Sequence, residues 1–251
     1  MAISKINSLA LGSVAKVNSL LKASMAKINS LVNVLFSNDY SAQFDGTNDY
    51  ITAHGIGTSI DASSGSISCW FKLDTTSSGR HLYSIQVDTN NLIRCFYHAS
   101  QNKLYTQYKV GGTAFPSYDS TAVENNGWHH LAYTWEIGRG ESKMYLDGTN
   151  NASAAPESAI EGEEGFQVFI GTLSGTGGYW KGNVDEFAIF NSVLSGSDVS
   201  AIYNSGTPTD ISGDSGLIGY WRFENNTDDS SSNSNAITLV NGATYESGDT
   251  P

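Results

Sequence analysis

Cysteine and proline are scarce in this sequence. The 251 residues include only two cysteines, Cys69 and Cys95, which are too few for a disulfide framework. We expect both to be buried thiols, although they could pair if their strands are neighbours and the compartment is oxidising. Four prolines beside 26 glycines and 13 tyrosines are typical of a turn-rich β protein rather than of a disordered chain.

Long apolar runs are also missing. No stretch approaches the roughly 18 consecutive apolar residues of a membrane-spanning helix, so we expect no membrane span. Lys, Asn and Ser interrupt residues 1–35 every few positions. The N-terminal segment therefore lacks the continuous apolar stretch that is typical of a secretory signal.

Charged residues make up only 15% of the chain, and they are unevenly placed. Residues 1–38 contain Lys5, Lys16, Lys22 and Lys27 and no acidic residue, so the net charge of −12 leaves −16 on the remaining residues. Such an acidic body argues against nucleic acid as the main partner.

A repeat occupies the N-terminal segment. The sequence reads K-I-N-S-L at 5–9, K-V-N-S-L at 16–20 and K-I-N-S-L at 27–31, a step of 11 residues each time. Eleven residues make about three helical turns, so apolar residues recur on one face of a helix. We expect an amphipathic helix whose apolar stripe mediates oligomerisation. The stripe contains Ile3, Ile6, Val14, Val17, Leu21, Met25, Ile28 and Val32.

Three surfaces could receive this stripe: a second copy or another protein of a larger assembly, the β domain of the same chain, or a membrane surface. A near-exact repeat favours assembly, because a helix lying on an irregular sandwich has no reason to present near-identical units. The pattern resembles the short tandem A-K-[IV]-N repeats at the N-termini of some bacteriophage virion proteins. This resemblance implies self-association or docking onto other virion proteins through residues 1–38, and it makes a membrane partner the less favoured alternative.

After residue 38 the hydrophobic periodicity changes from helical to β-like. Short runs rich in β-branched and aromatic residues are separated by Gly, Asn, Asp and Ser. So many short strands at this spacing predict an all-β antiparallel jelly-roll sandwich behind the helical N-terminal segment. The predicted strands are 41–44, 50–52, 66–73, 81–87, 92–97, 103–110, 128–136, 142–146, 166–171, 182–190 and 217–223.

Several motifs of the body are recognisable. The stretches F-D-G-T-N-D-Y-I at 44–51, W-H-H-L-A at 128–132, M-Y-L-D-G at 144–148 and G-N-V-D-E-F-A-I-F at 182–190 follow one another along the chain. In this order they resemble the motifs of laminin G-like, concanavalin A-like domains, whose architecture the pentraxins share. The resemblance implies a concanavalin A-like jelly roll.

The C-terminal segment stands in an unusual place. Residues 216–223 read G-L-I-G-Y-W-R-F and residues 239–245 read L-V-N-G-A-T-Y, which resembles a segment that often precedes F-D-G in this family. Because residues 216–251 are too few for a second sandwich, we expect them to complete the same sandwich from the other end of the chain. The predicted domains are a helical stem, residues 1–38, and one sandwich, residues 39–251.

Enzymatic machinery does not stand out. Glycosidases of this superfamily need two carboxylates, separated by about 5 Å or by about 6.5–9.5 Å. The laminarinase-type E-x-D-x-x-E strand is absent, and Asp185 and Glu186 are adjacent on a predicted strand, so we expect them to face opposite ways. No Ser-His-Asp set, phosphate loop or Cys/His metal cluster is apparent. The sequence therefore favours a protein without catalytic activity.

Calcium is the one cofactor that the resemblance suggests. It binds about six to eight oxygen atoms, mostly from carboxylates, amides and carbonyls. The resemblance implies Asp45 or Asp49 near the opening turn, and Asp185, as candidate ligands. Asp45 is also explained as a turn former before a glycine, and Asp185 as a structural hydrogen-bonding residue.

Glycan recognition needs an exposed aromatic platform with polar groups nearby. Tyr179 and Trp180 follow two glycines and form the best exposed candidate. Tyr105 and Tyr108 belong to a second aromatic-rich region. Each of these four residues could instead pack in the core.

Together these patterns predict a virion surface protein: a capsid decoration or fibre-like subunit with a stem, residues 1–38, and a lectin-like head able to bind host cell-surface glycans. One alternative is a secreted or cell-surface carbohydrate-binding module with an atypical N-terminus. Another is a structural adhesin or filament subunit without glycan specificity.

Overall fold

The computed structural model describes residues 16, 21–24, 36–74, 78–118, 123, 126–162 and 165–251. The chain divides into two compact units, Met1–Ser37 and Asn38–Pro251. In the first unit, Lys16 and residues 21–24 are helical. Within the described ranges, no helix has both the length and the apolar character needed to cross a bilayer.

The second unit consists of short strands and one α-helix. The strands are β1 (Tyr40–Asp45), β2 (Tyr50–Thr52), β3 (Ser64–Leu73), β4 (Arg80–Asp88), β5 (Asn91–His98), β6 (Lys103–Val110), β7 (Thr113–Tyr118), β8 (Trp128–Glu136), β9 (Glu141–Leu146), β10 (Thr149–Ala154), β11 (Gln167–Ile170), β12 (Lys181–Phe190), β13 (Leu217–Trp221), β14 (Thr238–Val240) and β15 (Thr244–Ser247). The helix α1 is Gly196–Tyr203, and single 3₁₀ segments lie at His54–Ser59 and Ile137–Arg139.

The strands form two antiparallel sheets. One has the order β10-β9-β8-β3-β12-β1-β15, with β13 also paired to β12, and the other has the order β14-β2-β11-β4-β5-β6-β7. The prediction of an all-β antiparallel sandwich is confirmed. Each of the eleven predicted strands corresponds to an observed one, whereas β7, β10, β14 and β15 were not predicted.

The last three strands join both sheets. In the eight-stranded sheet, β13 pairs with the second half of β12, and β15 pairs with β1. In the seven-stranded sheet, β14 pairs with β2. The strands at the C-terminus therefore lie beside β1 and β2, which open the sandwich.

The main core lies between the sheets and follows the two-residue alternation of strands. On β3, Ile67, Cys69, Phe71 and Leu73 are buried in it, and Cys95 on β5 comes from the opposite sheet. The two cysteines are free, and burial raises the pKa of both thiols. They are buried thiols, as expected, and do not form a disulfide.

A second apolar cluster covers part of the outer face of the eight-stranded sheet. Val199 and Ile202 of α1 pack there with Ala188, Phe190 and other residues of β8, β9, β12 and β13. A capping box begins the helix, since the Ser195 hydroxyl accepts from the Asp198 N–H and the Asp198 carboxylate accepts from the Ser195 N–H. This cluster removes that part of the sheet from solvent.

Candidate functional site

The outer face of β4, β5 and β6 carries polar and aromatic side chains. On β5, Ile93, Cys95 and Tyr97 belong to the core, so the alternate residues Arg94 and Phe96 point away from it. We call the outward side chains of these strands the β4–β6 face. It contains His81, Ser84, Gln86, Leu92, Arg94, Phe96, Tyr105, Gln107 and Lys109.

An aromatic row crosses this face. The strand register pairs Phe96 with His81 on one side and with Tyr105 on the other. The Phe96 and Tyr105 rings stack at 5.3 Å between centroids with an interplanar angle of 19°, and the His81 ring lies 5.7 Å from Phe96. Phe96 and Tyr105 are both partly exposed. Cross-strand pairing therefore builds a partly exposed aromatic surface.

Arg94 lies beside the aromatic row. Its Nε–H donates to Oε1 of Gln107 at 3.0 Å, and its Nη1 lies 3.4 Å from Nε2 of His81. Its Cζ atom is 4.6 Å from the centre of the Phe96 ring, a cation–π arrangement. Burial and the positive charge of Arg94 lower the pKa of His81 to about 4, so the imidazole is neutral at pH 7 and can accept this hydrogen bond.

The loop 171–180 lies over the neighbouring part of the same sheet. The Ser84 hydroxyl donates to the Leu173 carbonyl, and the His81 N–H donates to the Gly178 carbonyl at 2.7 Å. Gly178 has φ +62°, and a Cβ at this position would lie 2.4 Å from Nδ1 of His81. Only glycine therefore allows the loop to approach β4 so closely.

The loop carries Tyr179 onto the outer face. Its ring stacks on Tyr50 at 6.4 Å with an interplanar angle of 28°, and its hydroxyl donates to the Gly175 carbonyl. Tyr50 also contacts Phe169 at 6.2 Å between ring centroids. Tyr179 and Tyr105, two of the predicted glycan-binding residues, are thus both partly exposed on the outer side of the seven-stranded sheet.

The other two predicted glycan-binding residues, Trp180 and Tyr108, are fully buried in the core. The Trp180 Nε1–H donates to the Lys72 carbonyl at 3.2 Å. The Tyr108 hydroxyl donates to the Ala62 carbonyl and accepts from the Ile160 N–H. Placing them on an exposed platform was wrong, because both side chains pack in the main core. On β6, Tyr108 is three positions from Tyr105 and therefore points to the opposite side of the sheet.

Two of the predicted calcium ligands, Asp45 and Asp49, line one polar depression of about 480 Å³ with Asp74 and Asn183. The Asp45 carboxylate accepts from the Thr47 N–H at 2.7 Å, and this bond lowers its pKa. The buried Asp49 carboxylate accepts from the Asp45 N–H at 3.1 Å, and desolvation raises its pKa.

These bonds give Asp45 and Asp49 a structural role in the turn. Among the described residues, no three His, Cys, Asp or Glu side chains are grouped closely enough to hold a metal ion. The carboxylates present therefore do not fit a calcium site built from several acidic ligands. A site at Asp45 and Asp49 would have to draw most of its ligands from amide and carbonyl oxygens.

Asp185, the third predicted calcium ligand, does not line this depression. The register pairs Asp185 with Trp70 and Ala188 with Ser68, so two residues of β12 lie opposite Cys69. Glu186 has φ +49°, which marks a β-bulge at this point. Val184 and Phe187 both pack in the main core. The prediction that Asp185 and Glu186 face opposite ways was therefore wrong, since both lie outside the core.

The bulge holds a buried acidic pair. The Tyr220 hydroxyl and the Arg222 Nε–H donate to the carboxylate of Glu186, the latter at 3.3 Å. Burial raises the pKa of Glu186 to about 7 despite these donors. Burial, followed by the neighbouring charge of Glu186, raises the pKa of Asp185 well above its usual range. Sequence reasoning missed this arrangement, although the three-residue spacing of Val184 and Phe187 breaks the strand alternation.

Most of the predicted oligomerisation stripe lies outside the described residues. This applies to Ile3, Ile6, Val14, Val17, Met25, Ile28 and Val32. Leu21 is described, is helical and is 56% exposed.

Comparison with known proteins places this fold in a family. Residues 45–200 match Laminin_G_3, described as the concanavalin A-like lectin/glucanases superfamily. The chain belongs to this superfamily. No curated protein sequence matches the chain.

Solved structures of the concanavalin A-like fold resemble the sandwich at low identity. A candidate carbohydrate-binding protein from Bacteroides ovatus is 16% identical with a TM-score of 0.65, and the match covers 86% of this chain and 62% of that one. The chain thus spans less than two thirds of that protein. A heptameric SAP-like pentraxin from Limulus polyphemus is 15% identical with a TM-score of 0.58, covering 84% of this chain and 95% of that one.

A sialidase module also has this fold. The CBM40 of the Ruminococcus gnavus IT-sialidase, in a structure with α2,3-sialyllactose, is 14% identical with a TM-score of 0.52. The match covers 67% of this chain and 100% of that one. At such identities these likenesses show a shared fold alone.

Proposed function

We propose that the sandwich is a carbohydrate-binding head whose ligand lies on the β4–β6 face. The observation that carries this proposal is the stacked, partly exposed pair Phe96 and Tyr105 beside the hydrogen-bonding side chains of Arg94 and Gln107. A sugar ring has an apolar C–H face and peripheral hydroxyls, so it is recognised by aromatic rings flanked by polar groups.

Two further observations support the choice of this face. The outer side of the eight-stranded sheet is partly covered by α1 and its apolar cluster, whereas the aromatic row on β5 and β6 stays partly exposed. Proteins of the same fold include a candidate carbohydrate-binding protein and a sialidase module in a structure with a sialylated sugar. Fold alone does not establish recognition, so the proposal rests on the β4–β6 face.

The head acts in this proposal as a binding module and not as an enzyme. The adjacent carboxylates of Asp185 and Glu186 are buried, and Tyr220 and Arg222 hold that of Glu186. A glycosidase needs two carboxylates on either side of an accessible scissile bond. This pair is neither accessible nor separated in that way.

The repeat suggests where the head is displayed. We propose that residues 1–38 multimerise the protein or anchor it on other subunits of a virion, as a capsid decoration or fibre-like protein. The support is the 11-residue repeat, which presents near-identical apolar units. A secreted or cell-surface carbohydrate-binding module and an adhesin without glycan specificity are the alternatives.

A glycan array tests the carbohydrate-binding proposal. The full-length protein and its Tyr105→Ala variant are applied to a broad panel of neutral and acidic glycans. We expect saturable binding of the wild type to a subset of glycans, reduced by the variant, with every bound glycan recovered intact. Absence of binding across the panel would contradict the proposal and favour the adhesin alternative.

A further inference from the structure

Arg94 is a cation whose charge no described acidic residue balances. The described side chains include no Asp or Glu within 4.0 Å of its guanidinium, although Arg139 and Arg222 each have a glutamate partner. Desolvation lowers the pKa of Arg94, which remains a cation at any physiological pH. In the described part of the chain, neutral groups alone contact the guanidinium, so its positive charge is open to pairing with an anionic ligand.

The structure fixes the guanidinium in one orientation. Arg94 stands between Ser84 and Gln107 in the strand register. Its Nε–H is held by Gln107, Nη1 lies near His81, and the group rests over the Phe96 ring. Among the described residues Nη2 has no partner, so both of its N–H groups remain available. One of these N–H groups lies parallel to an N–H of Nη1, and this pair of donors matches the two oxygens of a carboxylate.

The local charge has the opposite sign from the rest of the body. Strands β4, β5 and β6 contain Arg80, Arg94, Lys103 and Lys109, and Asp88 at the end of β4 is their single acidic residue. Because the residues after 38 sum to −16, this region attracts anions within a protein that otherwise repels them.

We propose that the β4–β6 face selects acidic saccharides, with the sugar carboxylate bound by Arg94 and the sugar ring lying against Tyr105. This inference rests on the proposed carbohydrate-binding function and names its ligand class. The carboxylate is the shared chemistry of sialic acids and uronic acids, and the test separates these two sources.

Titration calorimetry on the full-length protein with two matched pairs of probes tests the inference. The pairs are α2,3-sialyllactose with lactose, and trigalacturonic acid with galactotriose. We expect the acidic member of at least one pair to bind about tenfold more tightly or better, and the pair that shows this identifies the source.

Variants locate the effect at Arg94. Arg94→Gln should abolish the acidic preference, and Arg94→Lys should retain a small part of it, because lysine is a point charge without a fork. Arg139→Gln is the matched control. It makes the same substitution outside the β4–β6 face, where the Arg139 Nε lies 3.7 Å from a Glu136 carboxylate oxygen, so the preference should change by less than about twofold.

The outcomes separate this inference from the proposed function. Neutral probes that bind as tightly as the acidic ones, or equal losses in Arg94→Gln and Arg139→Gln, overturn the role of Arg94 and leave carbohydrate binding intact. Absence of binding to all four probes also overturns the preference for acidic saccharides. In that case the glycan array alone tests whether the head binds carbohydrate. Arg94→Lys keeps the test decisive if Arg94→Gln fails to fold.

Discussion

The rings of Phe96 and Tyr105 stack across neighbouring strands with 5.3 Å between their centroids, on the side of the sheet that faces away from the core. Tyr108 lies three residues after Tyr105 on β6, is fully buried, and donates its hydroxyl hydrogen to the Ala62 carbonyl. Strand β6 thus carries one partly exposed tyrosine on its outer face and one buried tyrosine in the core. This division of roles makes stability and ligand binding separable by mutation.

Trp180 should govern stability and not binding. Trp180→Phe loses the Nε1–H bond to the Lys72 carbonyl and leaves a cavity, so we expect the free energy of unfolding to fall by about 1–3 kcal/mol. Urea denaturation measures this loss, and glycan affinity should be unchanged. Tyr179→Ala, one residue away, is the control and should cost less stability, because its side chain is partly exposed. Loss of binding in a stably folded Trp180→Phe would contradict this account.

Glu186 should make stability depend on pH. Burial raises its pKa from 4.5 to about 7, so the folded state favours the protonated form. The protonated Glu186 carboxyl contributes fully to the free energy of unfolding below about pH 4.5, and this contribution is lost as the pH rises through 7. We therefore expect the wild type to lose about 1–3 kcal/mol relative to Glu186→Gln between pH 4.5 and 8.

Chemical denaturation of both proteins across this pH range measures the difference. Asp88→Asn is the control, because Asp88 is a carboxylate at an exposed turn. The free energy of unfolding of this variant should still fall between pH 4.5 and 8, as it does for the wild type, whereas that of Glu186→Gln should not show this fall. Parallel curves for the wild type and Glu186→Gln would show that Glu186 does not titrate in this window.

Calcium binding at the β1–β2 turn remains a prediction. It requires that millimolar calcium raises the melting temperature relative to a chelator, because a ligand that binds the folded state stabilises it. Asp45→Asn should cancel this rise, whereas Asp88→Asn, which removes the same charge elsewhere, should retain it. Identical melting temperatures in calcium and in chelator would contradict the prediction.

The N-terminal repeat should control oligomeric state. Light scattering should give a defined oligomer for the full chain and a monomer for residues 39–251. Leu21→Asp places a charge on the apolar stripe and should dissociate the oligomer. Ala23→Asp adds the same charge about 200° away around the helix and should not. A full chain that is already monomeric would leave docking onto a different protein as the role of the repeat.

The sequence predicted strands where β-branched and aromatic residues alternate, as in β3 and β8. It missed β10, whose residues T-N-N-A-S-A have low β propensity, and β7, which contains Pro116. Both are edge strands, so each gains hydrogen bonds from one neighbour only. The conformation of β7 and β10 is therefore determined by pairing with a neighbouring strand, which local β propensity does not reveal.

The site was only partly predictable for a similar reason. Strand alternation by itself separates Tyr105 from Tyr108, because residues three positions apart on a strand face opposite sides of the sheet. Arg94 gave no local signal, because its neighbours His81 and Gln107 lie on different strands and only the register brings them together. The bulge at Glu186 likewise depends on which residues of β12 pair with β3.

The most direct test of the carbohydrate-binding head is the affinity of Tyr105 variants for the glycan that binds most tightly on the array. Calorimetry should show that Tyr105→Ala loses about 2 kcal/mol of binding free energy, roughly 30-fold in affinity. Tyr105→Phe keeps the ring and loses only the hydroxyl that donates to Gln101, so it should bind nearly as well as the wild type. Unchanged affinity in Tyr105→Ala would contradict a ligand site on the β4–β6 face.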